Sequence, residues 1–105
     1  MTPLKVAGFQ WDRANRTKCE KHGVSAAAIE DIFQRAVTVF PDPAHSNDEE
    51  RFKAIGRTND GRSVLLVFTV RTHRDVTYIR PISARYMHKK EVAHFEKETA
   101  RAQKR

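Results

Sequence analysis

Arginine is the residue type in this sequence with the clearest chemical potential, because it recurs through the later half of the chain. A guanidinium group presents a planar fork of donors that binds phosphate bidentately. Several such groups at one end of a sheet would stabilise the charge that grows on a pentacovalent phosphate. The alternative is that these arginines are solvated or paired with nearby carboxylates. The arginines considered in the later half of the chain are Arg57, Arg62, Arg71, Arg74, Arg80 and Arg85.

The charge of the whole chain also favours an anionic partner. Among 105 residues, 20 are lysine or arginine and 13 are aspartate or glutamate, so the formal net charge is +7 and the pI is near 10.0. A basic protein attracts polyanions, of which nucleic acid is the commonest in a cell. The alternative to binding a polyanion is that the positive charge only keeps the protein soluble. The acidic residues cluster within residues 42–50.

Other kinds of catalytic site are poorly represented. The five histidines include no pair spaced four apart. On a helix, His88, Glu91 and His94 would spread over about 120°, which suits no shared metal ion. Cys19 is the single cysteine, so it cannot form an internal disulfide, and it favours a reducing cytoplasm. The four glycines form no phosphate-cradling motif. We therefore expect neither a metal nor a cofactor.

Length and hydropathy predict one globular domain over residues 1–105. A chain of this size forms a single core without disulfide or metal staples. Hydrophobic residues make up 39% of the chain and charged residues 31%. The longest apolar run, residues 64–68, is far shorter than the roughly 20 residues of a membrane span. The first residues lack the apolar stretch of a secretory signal, so we expect a cytoplasmic protein without a membrane partner.

The elements that must position the arginines predict an α+β sandwich, with N-terminal helices, a four-stranded antiparallel sheet and a C-terminal helix. Asp12 is suited to cap a helix over residues 13–21, and Ser25 is suited to cap a second one. The closing helix is predicted from about Tyr86 to Gln103. The predicted strands cover residues 37–40, 51–57, 63–71 and 76–83, with a polar loop at 42–50 and turns at 58–61 and 72–75.

Alternation along the last strand predicts which side chains share a face. Tyr78 and Arg80 lie on one face, and Ser83 lies on the other. Arg85 follows where the chain is expected to leave the sheet. Pro81 has no N–H to donate, so this end of the strand is predicted to be an edge or a bulge.

Five short blocks match a pattern that spans most of the chain. They are Phe9-x-Trp11-Asp12, Lys21-His22-Gly23-Val24-Ser25, Arg51-Phe52-x-Ala54-Ile55-Gly56-Arg57-Thr58, Val67-Phe68-Thr69-x-Arg71 and Ile79-Arg80-x-Ile82-Ser83-Ala84-Arg85. In this order and with these gaps, the blocks resemble the BrnT family, the toxin subunits of bacterial type II toxin–antitoxin modules. The resemblance runs from about Phe9 to Phe95. It implies a compact relative of the RelE ribonuclease fold, which agrees with the α+β prediction.

The resemblance implies an RNA endonuclease that inhibits translation and needs no metal. RNA carries its own nucleophile, the 2′-hydroxyl, so such a protein supplies only positioning, a base, an acid and positive charge. The implied partners are an RNA substrate and a BrnA-like antitoxin with its own DNA-binding region, joined in a hetero-oligomer. The alternative is a non-catalytic basic module that binds nucleic acid or acts as a co-repressor.

The resemblance also assigns roles to residues at matching positions. Arginines are expected to bind phosphate, and histidine or carboxylate groups are expected to move protons. The candidate catalytic residues are Arg71, Arg80, Arg85, His22, Glu50 and His88, and the candidate RNA-binding residues are Lys21, Arg51, Ser83, Tyr86 and Lys89. Structural alternatives stay open for three of them. His22 would bond backbone carbonyls at a helix end, Glu50 would form an ion pair, and Ser83 would cap the final helix.

Overall fold

Three helices and five strands make up the part of the chain that the computed structural model describes, which is residues 6–45 and 49–103, with side chains for 6–44 and 49–100. The predicted α+β class is confirmed. Residues 46–48 of the predicted polar loop lie outside the described residues. The elements are β1 (Gly8–Phe9), α1 (Arg13–Glu20), α2 (Ala26–Ile32), β2 (Thr38–Pro41), a 3-10 turn (Pro43–His45), β3 (Arg51–Arg57), β4 (Ser63–His73), β5 (Val76–Tyr86) and α3 (Lys89–Gln103).

The sheet has the strand order β1-β5-β4-β3-β2 and is mixed. Strands β2 to β5 form the predicted antiparallel meander, but β1 runs parallel to β5 through the pairs Gly8–Tyr78 and Phe9–Ile79. The prediction of a four-stranded, purely antiparallel sheet was therefore wrong in this detail. A two-residue strand is too short to show alternation in the sequence. Residues 8 and 9 are a strand because they pair with the edge of β5.

Both N-terminal helices begin at the predicted caps. The Asp12 side chain accepts a hydrogen bond from the Asn15 N–H, and the Asn15 side chain accepts one from the Asp12 N–H, which is a reciprocal capping box. The Ser25 hydroxyl accepts a hydrogen bond from the Ala28 N–H. Within the described ranges, no helix is long and apolar enough to cross a membrane.

The last helix begins at Lys89, three residues later than predicted, because β5 extends further. Arg85 and Tyr86 pair with Leu65 and Val64 of β4, so the strand continues where the sequence pattern alone favoured a helix. Tertiary pairing thus overrides local preference at this position.

The hydrophobic core lies on one face of the sheet, beneath α1 and α2. Phe68 of β4 is fully buried and lies between the rings of Phe33 and Phe52, with centroid distances of 6.0 and 5.6 Å. The Trp11 indole N–H donates to Glu30 of α2 at 2.8 Å and ties the N-terminal segment to this layer. The other fully buried core side chains are Cys19, Val24, Ile29, Ile32, Ala54, Val64, Leu66 and Ile79.

A β-bulge in β5 changes which side chains share a face. Arg80 pairs with Thr69 and Pro81 with Phe68, but the next paired residue is Ser83, opposite Val67. Ile82 is therefore the extra residue, next to the proline that predicted an irregularity. Each bulge resets the alternation, so Arg80, Ser83 and Arg85 share one face. The prediction that Ser83 faces away from Arg80 was wrong for this reason.

Helix α2 packs directly on β3 at Gly56. A Cβ atom at Gly56 would lie 2.9 Å from Cβ of Ile32 and 3.3 Å from Cγ2 of Val37. We expect Gly56→Ala to lower the free energy of unfolding by about 1–3 kcal/mol, since the helix must shift away from the strand. Urea denaturation of both proteins measures this difference. Gly8→Ala is the control, because its nearest neighbour is Tyr78 Cδ1 at 3.9 Å; equal midpoints for the two variants would contradict the prediction.

Candidate nucleic-acid interface

Most of the basic strand residues project from the face of the sheet opposite α1 and α2. Residues that pair across antiparallel strands share a face, so the register defines three rows. The rows are Arg51–Thr69–Arg80, Lys53–Val67–Ser83 and Ile55–Leu65–Arg85. Arg71, two residues beyond Thr69, belongs to the same face. We call Arg51, Lys53, Arg71, Arg80, Ser83 and Arg85 the arginine face.

Three arginines occupy neighbouring strand positions at one end of this face. Arg51 and Arg80 flank Thr69 on its two neighbouring strands, so their backbones lie about 10 Å apart. Arg71 lies two residues further along β4 and pairs with Tyr78. This backbone spacing lies within the combined reach of two arginine side chains.

Arg85, at the other end of the face, is held by the first turn of α3. Its two terminal nitrogens donate to the two carboxylate oxygens of Glu91, each at 2.7 Å. Glu91 Oε1 also accepts a hydrogen bond from the His88 N–H at 2.9 Å, so the same carboxylate caps the helix. The bonds from Arg85 lower the pKa of Glu91 from 4.5 to about 2. Glu91 is therefore an anion at neutral pH and a weak base.

Asp12 joins Arg80 to the start of α1. One of its carboxylate oxygens accepts from the Asn15 N–H, and the other accepts from a terminal nitrogen of Arg80. The hydrogen bond from Arg80 is the main reason that the pKa of Asp12 lies below its ordinary value. The buried Asn15 side chain also donates to the carbonyl oxygen of Pro81 at 2.9 Å. The helix start and the arginine strand are thus fastened at neighbouring residues.

An acidic segment lies against the three-arginine end. Glu49 accepts from Arg71 at 3.1 Å in a largely solvent-exposed ion pair. The carbonyl oxygen of Glu50 accepts a hydrogen bond from the buried Thr69 hydroxyl at 2.8 Å. Glu50 directly precedes Arg51 in β3 and its own side chain is exposed. The Glu50 backbone therefore lies against Thr69, in the middle of the Arg51–Thr69–Arg80 row.

Four of the predicted site residues lie away from the arginine face. Lys21 and His22 are exposed at the end of α1, in the helical layer on the other side of the sheet. Tyr86 packs against the core, where the Arg62 guanidinium carbon lies 3.4 Å from its ring centroid. Lys89, the first residue of α3, is exposed and lines a separate cavity. The structure therefore does not bring these residues to the arginines.

The remaining candidates stay on or beside this face. Arg71, Arg80, Arg85, Ser83 and Arg51 belong to it, and Glu50 borders it. Ser83 lies inside β5, so the alternative that it caps the final helix was wrong; His88 and Glu91 form that cap instead. His88 is exposed at the far end, next to the Arg85–Glu91 pair.

Two residues on or beside the arginine face were missed by the sequence reasoning. Lys53 alternates with Arg51 in β3, and among the described residues it forms no ion pair. Glu91 stands three residues after His88, which is the capping-box spacing and was a usable signal. The pairing of Asp12 with Arg80 spans 68 residues of sequence and had no local signal.

Cys19 and the acidic residues that the structure describes form no second candidate site. Cys19 is fully buried, and burial raises the pKa of its thiol to about 11, so little thiolate forms at neutral pH. Among the described residues, no three histidine, cysteine or carboxylate side chains are grouped so that they could hold a metal ion.

The comparison with protein families gives this geometry a context. The profile of a family described as "Ribonuclease toxin, BrnT, of type II toxin-antitoxin system" matches residues 11–91. The chain belongs to the BrnT family. The match covers α1, α2, the meander β2–β5 and the start of α3, and it ends at Glu91. No curated protein matches the chain. BrnT membership implies an RNA target and an antitoxin partner.

In this BrnT-family chain, the Arg85–Glu91 pair predicts how stability depends on pH. Folding lowers the pKa of Glu91 from 4.5 to about 2, so the pair stabilises the protein above pH 4.5 and loses its effect as the pH falls toward 2. We expect the melting temperature of the wild type to exceed that of Glu91→Gln at pH 7, and the difference to narrow below pH 4.5. Glutamine keeps an oxygen for the His88 N–H.

Thermal denaturation between pH 2 and pH 8 measures this difference. Glu20→Gln, at the exposed end of α1, is the control for the loss of one negative charge. A difference between wild type and Glu91→Gln that stayed constant down to pH 2 would show that the ion pair is not its source.

Proposed function

We propose that this chain is a metal-independent endoribonuclease that cleaves RNA at the arginine face by attack of the 2′-hydroxyl on the adjacent phosphate. The observation that carries the proposal is the row Arg51–Thr69–Arg80, with Arg71 beside it and the backbone carbonyl of Glu50 bonded to the Thr69 hydroxyl. Positive charge thus lies around one position, and the exposed side chain of Glu50 starts from the residue next to Arg51. Family membership supports the ribonuclease activity and the RNA target.

The reaction that suits this arrangement is an internal transesterification. Glu50 takes the proton of the 2′-hydroxyl, and the resulting oxygen attacks the phosphorus. The bond to the 5′-oxygen of the next nucleotide breaks, that oxygen takes a proton from water, and the protonated Glu50 returns its proton to the hydroxide that remains. The products are a 2′,3′-cyclic phosphate and a free 5′-hydroxyl. Charge develops on the nonbridging phosphate oxygens during the attack, and Arg80, Arg51 and Arg71 stabilise it.

The carboxylates that pair with the arginines allow a phosphate to bind. Exposed ion pairs such as Arg71–Glu49 contribute only about 0–1 kcal/mol, so a phosphate competes with them at low cost. A guanidinium group also has five N–H donors, and Asp12 engages only one terminal nitrogen of Arg80. Asp12 therefore orients Arg80 while its remaining donors stay available to substrate.

Distances along the strands separate the candidate proton carriers. His88 follows Met87, whose N–H bonds the Ser63 carbonyl, six residues along β4 from Thr69. At about 3.3 Å per residue, Met87 lies roughly 20 Å along the sheet from the Thr69 row, and the backbones of Glu50 and His88 lie further apart than that. One phosphate cannot be reached by both. Arg85, four residues along β4 from the Thr69 row, is suited to the next phosphate of the chain.

Removal of one arginine that contacts the transition state should lower the rate of RNA cleavage. We expect Arg80→Ala to reduce the rate of RNA cleavage by about 100- to 1,000-fold, because the guanidinium stabilises charge that appears only during attack. Gel analysis of a labelled RNA in the presence of EDTA measures this rate. Arg13→Ala, which removes the same charge from an exposed position of α1, should retain near wild-type activity.

The same assay tests the nucleophile and the metal. RNA with a single 2′-deoxy nucleotide at the scissile position should remain intact. Cleavage of an all-deoxy strand, or cleavage that requires added Mg²⁺, would refute the mechanism. Salt-sensitive binding without cleavage by the wild type would instead favour the non-catalytic basic module.

Substitutions of Glu50 and His88, at opposite ends of the sheet, are expected to have different effects on cleavage. We expect Glu50→Gln to slow cleavage by about 100- to 10,000-fold, as for loss of a general base. His88→Ala should change the rate by less than about tenfold, because His88 lies at the other end. Single-turnover rates with saturating protein measure both. A larger loss in His88→Ala than in Glu50→Gln would move the catalytic centre to Arg85.

A further inference from the structure

The aromatic residues divide unequally between the two faces of the sheet. On the helical side, six of them lie in the core or pack against it. Phe40 of β2 and Tyr78 of β5 do neither; they are half-buried on the arginine face. The six core aromatics are Phe9, Trp11, Phe33, Phe52, Phe68 and Tyr86.

Phe40 and Tyr78 stand at opposite corners of the basic rows. Phe40 pairs with Lys53, and Tyr78 pairs with Arg71 and precedes Arg80 by two residues. Three strand spacings separate them across the sheet, about 14 Å, and four residues separate their rows along it, about 13 Å. The two rings are therefore roughly 20 Å apart on a diagonal, and the Arg51–Thr69–Arg80 row lies between them.

This order of side chains matches what single-stranded nucleic acid requires. Unpaired bases stack on aromatic rings, whatever their sequence, while the backbone follows positive charge. Lys53 lies between Phe40 and the arginine row, and within the described ranges it has no carboxylate partner. The aromatic rings flank the cationic row instead of being scattered around it. A duplex, whose bases are stacked on each other, would leave both rings without a ligand.

We propose that Phe40 and Tyr78 are base-stacking subsites that hold single-stranded RNA diagonally across the arginine face, with the Arg51–Thr69–Arg80 row at the phosphates between them. This inference rests on the proposed function, because it places the substrate at the same face. It adds that the substrate is unpaired RNA and that affinity depends on bases as well as on phosphates.

The test separates base stacking from charge with two non-cleavable probes. One is a labelled single-stranded DNA 12-mer, and the other is an abasic strand with the same number of phosphates. We expect Phe40→Leu and Tyr78→Leu each to weaken binding of the base-bearing strand by about fivefold or more and to leave binding of the abasic strand unchanged. Fluorescence anisotropy at one fixed salt concentration measures both affinities.

Three variants act as controls. Phe40→Tyr and Tyr78→Phe keep a ring at each position and should bind like the wild type. Phe95→Leu removes an aromatic ring from α3, off the diagonal, where it lines a cavity of about 490 Å³, and should also bind like the wild type. If one leucine variant fails to fold, the other leucine variant is compared with the variant that keeps a ring at the same position, and that pair tests the proposal.

The outcomes distinguish this inference from the ribonuclease proposal. Equal affinity of the wild type for base-bearing and abasic strands, or wild-type affinity in the leucine variants, would overturn the subsites even if the protein cleaves RNA. Leucine variants that lose affinity for an antitoxin but not for the DNA strand would identify a protein-binding surface and likewise overturn it. If the leucine variants lose base-dependent binding but the wild-type protein never cleaves RNA, the subsites are supported and the endonuclease proposal is refuted.

Discussion

The pairing of β4 with β5 around the bulge at Ile82 is the constraint on which the interface depends. Arg80 and Arg85 are five positions apart, so a regular strand would place them on opposite faces. The extra residue restores them to one face, together with Ser83. The opposite face of the same strands then packs under α1 and α2. One irregularity thus lets the core and the basic surface share a sheet.

Carboxylate groups offset the mutual repulsion of the arginines on this face and hold their side chains in fixed directions. In a chain of net charge +7, Asp12, Glu49 and Glu91 each hold one arginine of this face. Asp12 and Glu91 also cap helices, so in each case the same carboxylate group begins a helix and orients a guanidinium. Such exposed pairs add little stability, but they fix side-chain direction before substrate binds. A phosphate then meets donors that need little rearrangement.

Local signals predicted much of the fold but only part of the site. The caps at Asp12 and Ser25 and the bounds of β3 were right because short-range hydrogen bonds and alternation decide them. β1 and the late start of α3 were not predicted, since each depends on a partner strand distant in sequence. Among the candidate residues, Lys21 and His22 resembled site residues by pattern, yet the sheet separates them from the arginines.

The amino-acid sequence by itself determined the basic charge, the α+β class, the helix starts and the family resemblance, because each depends on composition or on residues close together in the chain. Only the tertiary structure decided that Arg51 and Arg80 flank Thr69, that Asp12 holds Arg80, and that Glu50 and His88 lie near opposite ends of the sheet. Strand register and the bulge set these relations, and both arise from contacts between segments far apart in sequence.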